Sequence, residues 1–475
     1  MKYDKTNPAS IFSYSINLLD HSLHDVCGDI VTDNSIKGKG SLGQMVEKFY
    51  YEYELNSYRG PDFKEAELEL KCTPLLKNKD DEWRIKERLV CTMIDYFEIV
   101  KESFESSHFY EKCKLMLILF YLHVYGDEIY DYKFIFSVLW KLPEKDLLII
   151  KHDYETILNK VLAGKAHEIS EGDTEYLGAC RKGHKGDSPQ KQPYSEELAP
   201  KRAFSLKPAY MRTILEIVKN KPEHYFCNFD VAVDMQQLVS SEDLTKKSFE
   251  EIILDRFASF KGKDYVEICD ILEIETTKAK NKYALIASKI GADDIKAGNI
   301  NESEEFRKSG ITMKTVRVKN NDKPKESTSF QNIDYFEIMN NDEWFDSELY
   351  EIFSNRFLFV IFKKIDDRKI SYVFDGTTIE EDKFILDKVF FWTMPQSDLK
   401  VAESYWENIR DCVLNNTISL DNFWRIGDDK KFHVRPKAVN SDDKTENPHG
   451  GKVSKYCYWF NANYVQSIIK SQNEK

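Results

Sequence analysis

The hexapeptide Ile94-Asp95-Tyr96-Phe97-Glu98-Ile99 returns unchanged as Ile333-Asp334-Tyr335-Phe336-Glu337-Ile338. Upstream of it, Lys86-Glu87 returns as Lys325-Glu326 at the same offset, since 325 − 86 and 333 − 94 are both 239. Two blocks matched at one offset are the mark of a duplication, and a repeat this long is a whole domain rather than one turn of a solenoid. The flanks follow in order. Glu69-Leu-Lys71-Cys-Thr corresponds to Thr312-Met-Lys314-Thr-Val, and 114–122 to 355–363. Cys180-Arg181-Lys182 corresponds to Arg435-Pro436-Lys437, and 203–210 to 457–464. The expected organisation is therefore two copies of one domain, 1–222 and 245–475, with a linker over 223–244 and the join running through the polar stretch 236–247 (QQLVSSEDLTKK).

Each copy is expected to open with amphipathic helices, over 11–26 and 249–260, where apolar residues recur at three- and four-residue spacing. A sheet should follow. EAELEL (65–70) alternates polar or small with apolar residues, the period of a half-buried strand, and Thr73-Pro74 should end it. LMLILFY (115–121) and 357–362 are short and almost wholly apolar, as central strands covered on both faces would be. Helix and strand signals alternate in both copies, so the expected class is mixed α/β.

With 41% apolar residues the chain can bury large cores, and its longest apolar run falls well short of the ~20 residues of a membrane helix. Nine scattered cysteines with no CxxC pair point to reduced thiols, hence a soluble cytoplasmic protein with no membrane partner. A net charge of −13 gives no general nucleic-acid field. Locally the balance reverses: 178–221 holds ten Lys/Arg against four Asp/Glu. Such a patch is either a solvated loop or a surface for an anion.

The residues with the most chemical content lie around the strand expected over 65–71. In Asp62-x6-Glu69-Leu70-Lys71, strand alternation puts Glu69 and Lys71 on one face. Asp62, after Gly60-Pro61, can turn back beside Glu69. Two adjacent carboxylates call for a cation between them, and Mg²⁺ suits one or two carboxylates with water and phosphate oxygens completing its shell. A neighbouring lysine can orient water and stabilise charge on a phosphate, as phosphodiester hydrolysis requires. Glu47, after GSLGQMV (40–46), is a third acid that could approach. An alternating Glu/Lys strand is also what a solvated edge looks like. The duplication distinguishes the two readings: at the matching place the second copy has Glu305-x6-Thr312-Met313-Lys314, keeping the lysine and losing the counterpart of Glu69. One working copy and one degenerate copy account for that asymmetry; a structural strand does not.

The series GSLGQMVE (40–47), PDFKEAELELKCTP (61–74), KERLV (86–90), EGDTEYLGACRKG (171–183) and RAFSLKPAYM (202–211) resembles the motif series of the MutH-type endonucleases. Most closely it resembles the two-domain type II restriction endonucleases that cut at GATC. The resemblance covers nearly all of the first copy and, more faintly, the second. It implies two tandem PD-(D/E)xK nuclease folds, the second degenerate, and Mg²⁺-dependent hydrolysis of double-stranded DNA 5′ of the G in GATC. Carried over by motif, Asp62, Glu69 and Lys71 would be the catalytic triad, with Asp62 and Glu69 the metal ligands and Glu47 an auxiliary acid. A further lysine on the next strand is expected, with Lys112 and Lys114 both candidates.

The same resemblance makes Lys182 a base-reading lysine in a major-groove loop. Arg and Lys suit guanine, whose O6 and N7 are both acceptors on that edge. Arg181 either reads a base or clamps a phosphate, while Lys201, Arg202 and Lys207 are expected on phosphates, which position without specifying. Where the MutH pattern has a tyrosine this chain has Ser205, which leaves its response to adenine methylation open. In the second copy, Arg435 and Lys437 make a plausible reading loop, so that copy is either an effector binding a second site or a structural remnant; His433 beside it is expected to be a plain loop residue. One cutting copy per chain implies that two chains meet on the DNA or that two nicks follow in succession, and a restriction enzyme implies a cognate DNA methyltransferase. The competing readings are a MutH-like nicking repair endonuclease and a DNA-binding protein without catalysis.

Overall fold

The computed structural model describes residues 2–32, 36, 40–55, 59–77, 82–182, 188–220, 235–294, 296–428, 430–438, 440 and 442–472. The chain divides into two units that each mix helix and sheet: Met1–Gln236, Ser240–Thr245 and Arg307–Gly310 form one; Gln237–Val239, Lys246–Phe306 and Ile311–Lys475 form the other. Of the expected linker, 223–234 lies outside the described residues, and Ser241–Leu244 is a helical turn capped by Ser240.

The strands of the first unit are, in chain order, β1 (Glu69–Lys77), β2 (Trp83–Ile85), β3 (Leu89–Met93), β4 (Leu115–Leu122), β5 (Phe134–Lys141), β6 (Leu177–Arg181), β7 (Gln190–Gln192), β8 (Ser195–Ala199) and β9 (Arg202–Leu206). One sheet has the order β2-β1-β4-β5 and another the order β3-β9-β6, with β7 and β8 a small hairpin. The apolar run of β4 is central. Met116, Ile118 and Phe120 enter one apolar cluster, while Leu117 and Leu119 enter the other on the opposite face. Each such buried side chain contributes roughly 1.5–3 kcal/mol, so a strand covered on both faces has no place for polar alternation.

Three local expectations are corrected. The segment 11–26 is not one helix: Pro8–Ser15 runs into a short 3₁₀ turn, and the chain restarts at Leu23–Cys27 with Ser22 and Asp25 forming a capping box. Asp20, at φ 64°, sits in the left-handed region between them. The alternation of EAELEL is not a strand either. Lys64–Ala66 is a 3₁₀ turn, Glu67 is left-handed, and β1 begins at Glu69. Nor does Thr73-Pro74 end the strand. The Pro74 carbonyl accepts from Lys86 N on the β2 side, where the β2 ladder gives out beyond Leu75–Ile85, so the proline's missing N–H falls at the end of that ladder.

The second unit repeats this plan with β10 (Thr312–Val318), β11 (Thr328–Asn332), β12 (Arg356–Phe374), β13 (Thr377–Thr393), β14 (Phe432–Pro436), β15 (Lys444–Glu446), β16 (Lys452–Ser454) and β17 (Tyr456–Phe460). Its sheets are β10-β12-β13 and β11-β17-β14, with β15 and β16 a hairpin. The registers coincide: β1 lies parallel to β4 with Glu69 opposite Met116, and β10 parallel to β12 with Thr312 opposite Phe357. The repeated hexapeptide has a structural task in both units. Asp95 and Asp334 cap the helices that follow, each accepting from two amides. Tyr96 donates to the Pro200 carbonyl (2.6 Å) and Tyr335 to the Ser454 carbonyl (3.0 Å). A second shared device joins the long helix after Pro143 (Glu144–Leu162) to the helix Pro208–Asn220, and the one after Pro395 (Gln396–Leu414) to the helix Ala462–Ser471. Asp146 accepts from Tyr210 Oη at 2.6 Å and Asp398 from Tyr464 Oη at 2.7 Å. The units differ most in β12 and β13, which reach 19 and 17 residues against eight each for β4 and β5.

Candidate active site and its degenerate counterpart

A closed loop delivers Asp62 to the start of β1. Phe63 and Leu68 exchange backbone hydrogen bonds in both directions (2.9 and 3.2 Å), and both side chains are fully buried, so the loop between them folds back tightly. The Asp62 carboxylate then accepts from Leu70 N at 3.0 Å, while Asp62 N lies 3.3 Å from Glu69 Oε2. Glu69 is 1% exposed and its Oε1 receives two ammonium groups, Lys71 Nζ at 2.7 Å and Lys112 Nζ at 2.9 Å. Lys71 also donates to the Cys91 carbonyl (3.2 Å). Glu47, on a turn of π-helix (Val46–Tyr50), is buried nearby.

Three acids and two lysines thus share one largely buried place, and their acidities register the crowding. Burial first, then the Glu69 charge, pushes Asp62 up to about 6, against the pull of Lys71, Lys112 and the Leu70 amide. Burial, then Asp62 and Glu69, pushes Glu47 up to about 8, with Lys112 opposing. Burial works to lower Lys71, but Glu69 and its other neighbours outweigh it and hold the ammonium well above its ordinary range. A bound cation would relieve the crowding of the three acids. Among the described residues no three His, Cys, Asp or Glu side chains are close enough to cage a metal by themselves. Asp62 and Glu69 as ligands therefore fit a hard cation that keeps most of its shell as water and phosphate oxygen, the habit of Mg²⁺.

Of the two candidate lysines, the structure brings Lys112 to the site; Lys114 pairs with the exposed Glu67 at 2.5 Å. Both precede β4, Lys112 within the helix His108–Cys113, rather than standing on the next strand. Sequence spacing could not choose between them because the turn into β4 sets which one points inward.

The expected DNA-reading residues separate into two groups. Arg181 ends β6 half-buried, Lys182 follows with its amide on the Lys201 carbonyl (2.9 Å), and Lys201 is exposed. The segment that follows, 183–187, which the sequence reading makes the base-reading loop, lies outside the described residues. Arg202 and Lys207 do not fit the expectation of phosphate contact. Arg202 is 1% exposed and its guanidinium donates to the carbonyls of Ala179 and Ile169; Lys207 is 2% exposed and donates to the Thr174 carbonyl at 2.5 Å. Arg202 at the start of β9 and Lys207 just past its end both point into the unit, where they tie β6 and the segment before it. Asp153, which the sequence did not single out, has the same task. From the long helix its fully buried carboxylate accepts the amides of Glu175, Tyr176 and Leu177 at 2.7, 2.7 and 2.8 Å, fixing the start of β6.

The second unit shows the same framework emptied of acids. Met313 N, the counterpart of Leu70 N, donates to Asn301 Oδ1 at 2.7 Å. Asn301, and not Glu305, therefore stands where Asp62 stands, and 301 − 62 is again 239. Glu305 is buried elsewhere, accepting from the amides of Leu238 and Val239. Thr312 replaces Glu69, and Phe353 falls at the place of Lys112. Ser288 accepts from the Ile300 amide (3.3 Å) where the first unit has Glu47 beside Asp62. Lys314 remains, donating to the Ser329 carbonyl at 2.9 Å as Lys71 does to that of Cys91. Beyond it, Arg435 is exposed and lies over the Trp459 ring at 4.9 Å, and Lys437 donates to the Phe330 carbonyl at 2.7 Å. His433 is no loop residue. It sits fully buried on β14 against Trp459, and burial, with Arg435 adding to it, lowers its pKa to about 4.

Comparisons with known proteins agree on one family. The family model of the DNA mismatch repair enzyme MutH matches residues 51–153, the stretch holding Asp62, Glu69, Lys71 and Lys112. The type II restriction enzyme Sau3AI of Staphylococcus aureus is 31% identical over 455 residues, covering 90% of this chain and 88% of that protein. The mismatch repair protein MutH of Buchnera aphidicola is 21% identical over 36% of this chain and 78% of its own length. That of Shewanella woodyi is 26% identical over 41% and 83%. Among the described residues no helix is long and apolar enough to cross a membrane.

Proposed function

The chain belongs to the family of Sau3AI-like type II restriction enzymes and MutH-like nucleases, and from that premise we propose that its first unit hydrolyses phosphodiester bonds of double-stranded DNA at GATC, 5′ of the G, with Mg²⁺. The observation that carries this reading is the convergence of Asp62, Glu69, Lys71 and Lys112 at the mouth of two parallel strands. Asp62 and Glu69 would hold the cation. Bound there, the ion supplies Lewis acidity toward the phosphate and lowers the pKa of water.

The protein's own groups do the rest. Lys71, fixed by Glu69 and the Cys91 carbonyl, offers a permanently charged donor beside the place where a phosphate oxygen gains charge. Lys112 offers a second, on the same Glu69 oxygen. Glu47, held up to about 8 and so largely protonated at neutral pH in the metal-free chain, is a proton donor or a late ligand. Lys182, with Arg181 at the end of β6, contacts the DNA to be read, and Lys201 supplies a phosphate contact. The second unit, with Arg435 and Lys437 and without acids, binds a further GATC as an effector and does not cut. One cutting unit per chain means that a double-strand break takes two chains on one site or two successive nicks, in a cytoplasm protected by a cognate DNA methyltransferase.

Digestion of unmethylated plasmid with one or several GATC sites, with Mg²⁺ or EDTA, tests this. Fragments ending 5′ of G in GATC, lost in EDTA and made faster from multi-site DNA, are expected. Cutting at unrelated sequences would refute the specificity, and equal rates on both plasmids would refute the effector role.

A further inference from the structure

In the first unit, Glu69 neutralises the lysine of the site. In the second unit the lysine persists and its partners do not. Asn301, Thr312 and Ser288 occupy the acidic positions as neutral hydrogen-bonding groups, so nothing there draws a divalent cation. Lys314 lies between the Ser329 carbonyl (2.9 Å) and the face of Phe330 (4.4 Å). Lys437 reaches in from the end of β14 to the carbonyl of that same Phe330. Among the described residues neither ammonium is ion-paired with a carboxylate. Burial first, and the Lys437 charge second, hold Lys314 down to about 8. Two converging cations, one of them half-buried, are costly to keep without an anion. Replacing Lys314 by an apolar side chain would relieve that cost within the unit alone, so its presence calls for a ligand outside the chain.

We propose that this pair of lysines is a metal-independent anion site in which Lys314 and Lys437 together take one backbone phosphate of the DNA bound by the second unit. The inference rests on the reading of that unit as a DNA-binding effector. It inverts the chemistry of the parent site: two carboxylates and a cation on the phosphate become two cations on the phosphate, which holds the strand and cannot hydrolyse it. Charge-assisted bonds from ammonium to phosphate are about twice as strong as neutral ones, and each phosphate so neutralised adds about 0.9 to the salt slope of binding.

The test uses the full chain carrying Glu69→Ala, so that DNA stays intact, titrated with GATC duplex over a salt series in Mg²⁺ and in EDTA. Arg435→Ala identifies which binding event belongs to the second unit. That event is expected to persist in EDTA. Lys314→Met is expected to weaken it about tenfold and to lower its salt slope by about 0.9, while Lys314→Arg keeps the slope. Lys314→Met should melt no lower than its parent, since it removes a half-buried charge that has no carboxylate partner among the described residues, so weakened binding cannot be laid to misfolding. Inorganic phosphate alone, followed by thermal shift, separates a small-anion pocket from a backbone clamp. A phosphate shift lost in Lys314→Met with duplex affinity unchanged overturns the DNA assignment. A second-unit event that ignores Lys314, or that vanishes in EDTA, overturns the inference and leaves the effector reading standing. A chain that binds only one duplex, unaffected by Arg435→Ala, removes the effector reading itself.

Discussion

Asp153→Ala should unfasten β6, the strand that ends at Arg181. The Asp153 carboxylate is fully buried and is the acceptor for three consecutive amides, those of Glu175, Tyr176 and Leu177, at 2.7, 2.7 and 2.8 Å. Leaving a buried amide unsatisfied costs about 1–3 kcal/mol, so three orphans set a ceiling of roughly 9 kcal/mol. The alanine also opens a polar space that a water can enter and serve in part, which brings the expectation to about 3–5 kcal/mol. For a unit of this size each kcal/mol moves the melting temperature by about 2–4 °C, giving a fall of about 10 °C in the transition of the first unit. Asp153→Asn keeps one side-chain oxygen as acceptor but turns an NH₂ toward the remaining amides, and should fall between the two. Because Arg181 and Lys182 continue from that strand, GATC duplex affinity should drop with stability. The assay is thermal unfolding followed by circular dichroism, with duplex binding measured well below the transition. An Asp153→Ala chain melting within about 2 °C of the parent, with unchanged affinity, would show that the three amides are not what holds β6.

The two candidate lysines should part company: Lys112→Met is expected to slow cleavage about a hundredfold or more, Lys114→Met less than threefold, because the latter's pair with Glu67 is exposed; comparable losses in single-turnover rates would contradict the assignment. Arg202→Ala should lower the melting temperature while leaving the salt slope of DNA binding alone, and Lys201→Ala should lower that slope by about 0.9 without altering melting; a binding series and a melting curve on each decide it. The metal-free site should weaken with rising pH. Asp62 and Glu47 have folded values above their ordinary ones, so their penalty is absent below the unfolded pKa, grows from 3.8 to about 6 for Asp62 and from 4.5 to about 8 for Glu47, and is complete above. Mg²⁺ should accordingly raise the melting temperature more at about pH 8 than at about pH 5, and equal shifts at both would refute the charge-crowding account.

The duplication was legible because its strongest trace, the repeated hexapeptide, combines an N-cap aspartate with a tyrosine that must reach one particular carbonyl, two demands that tolerate little change. Asp62, Glu69 and Lys71 were legible for a similar reason, since a period-2 strand and a turn fix where charged groups meet. What alternation could not reveal was that Glu65 and Glu67 belong to a turn: EAELEL has the strand period, and only the closure of Phe63 on Leu68 and the left-handed Glu67 break it. Charge misled at Arg202 and Lys207. Within a basic stretch they read as surface, yet their donors satisfy buried carbonyls, and that depends on how the two ends of β9 pack against β6 and the segment before it. Glu305 misled through spacing, because the loop before β10 differs in length from that before β1. The 239-residue offset of the hexapeptide would have pointed to Asn301 instead.

The central claim is that one acid-and-lysine centre, in the first unit, does all the cutting. The direct measurement is single-turnover cleavage of a GATC duplex by the full chain and by its Glu69→Ala variant, at matched fold content and with Mg²⁺ present. No cleavage above background by Glu69→Ala, with duplex binding retained, is the predicted result. Residual cutting at GATC at more than about a hundredth of the parent rate would place a working centre elsewhere in the chain and contradict the account.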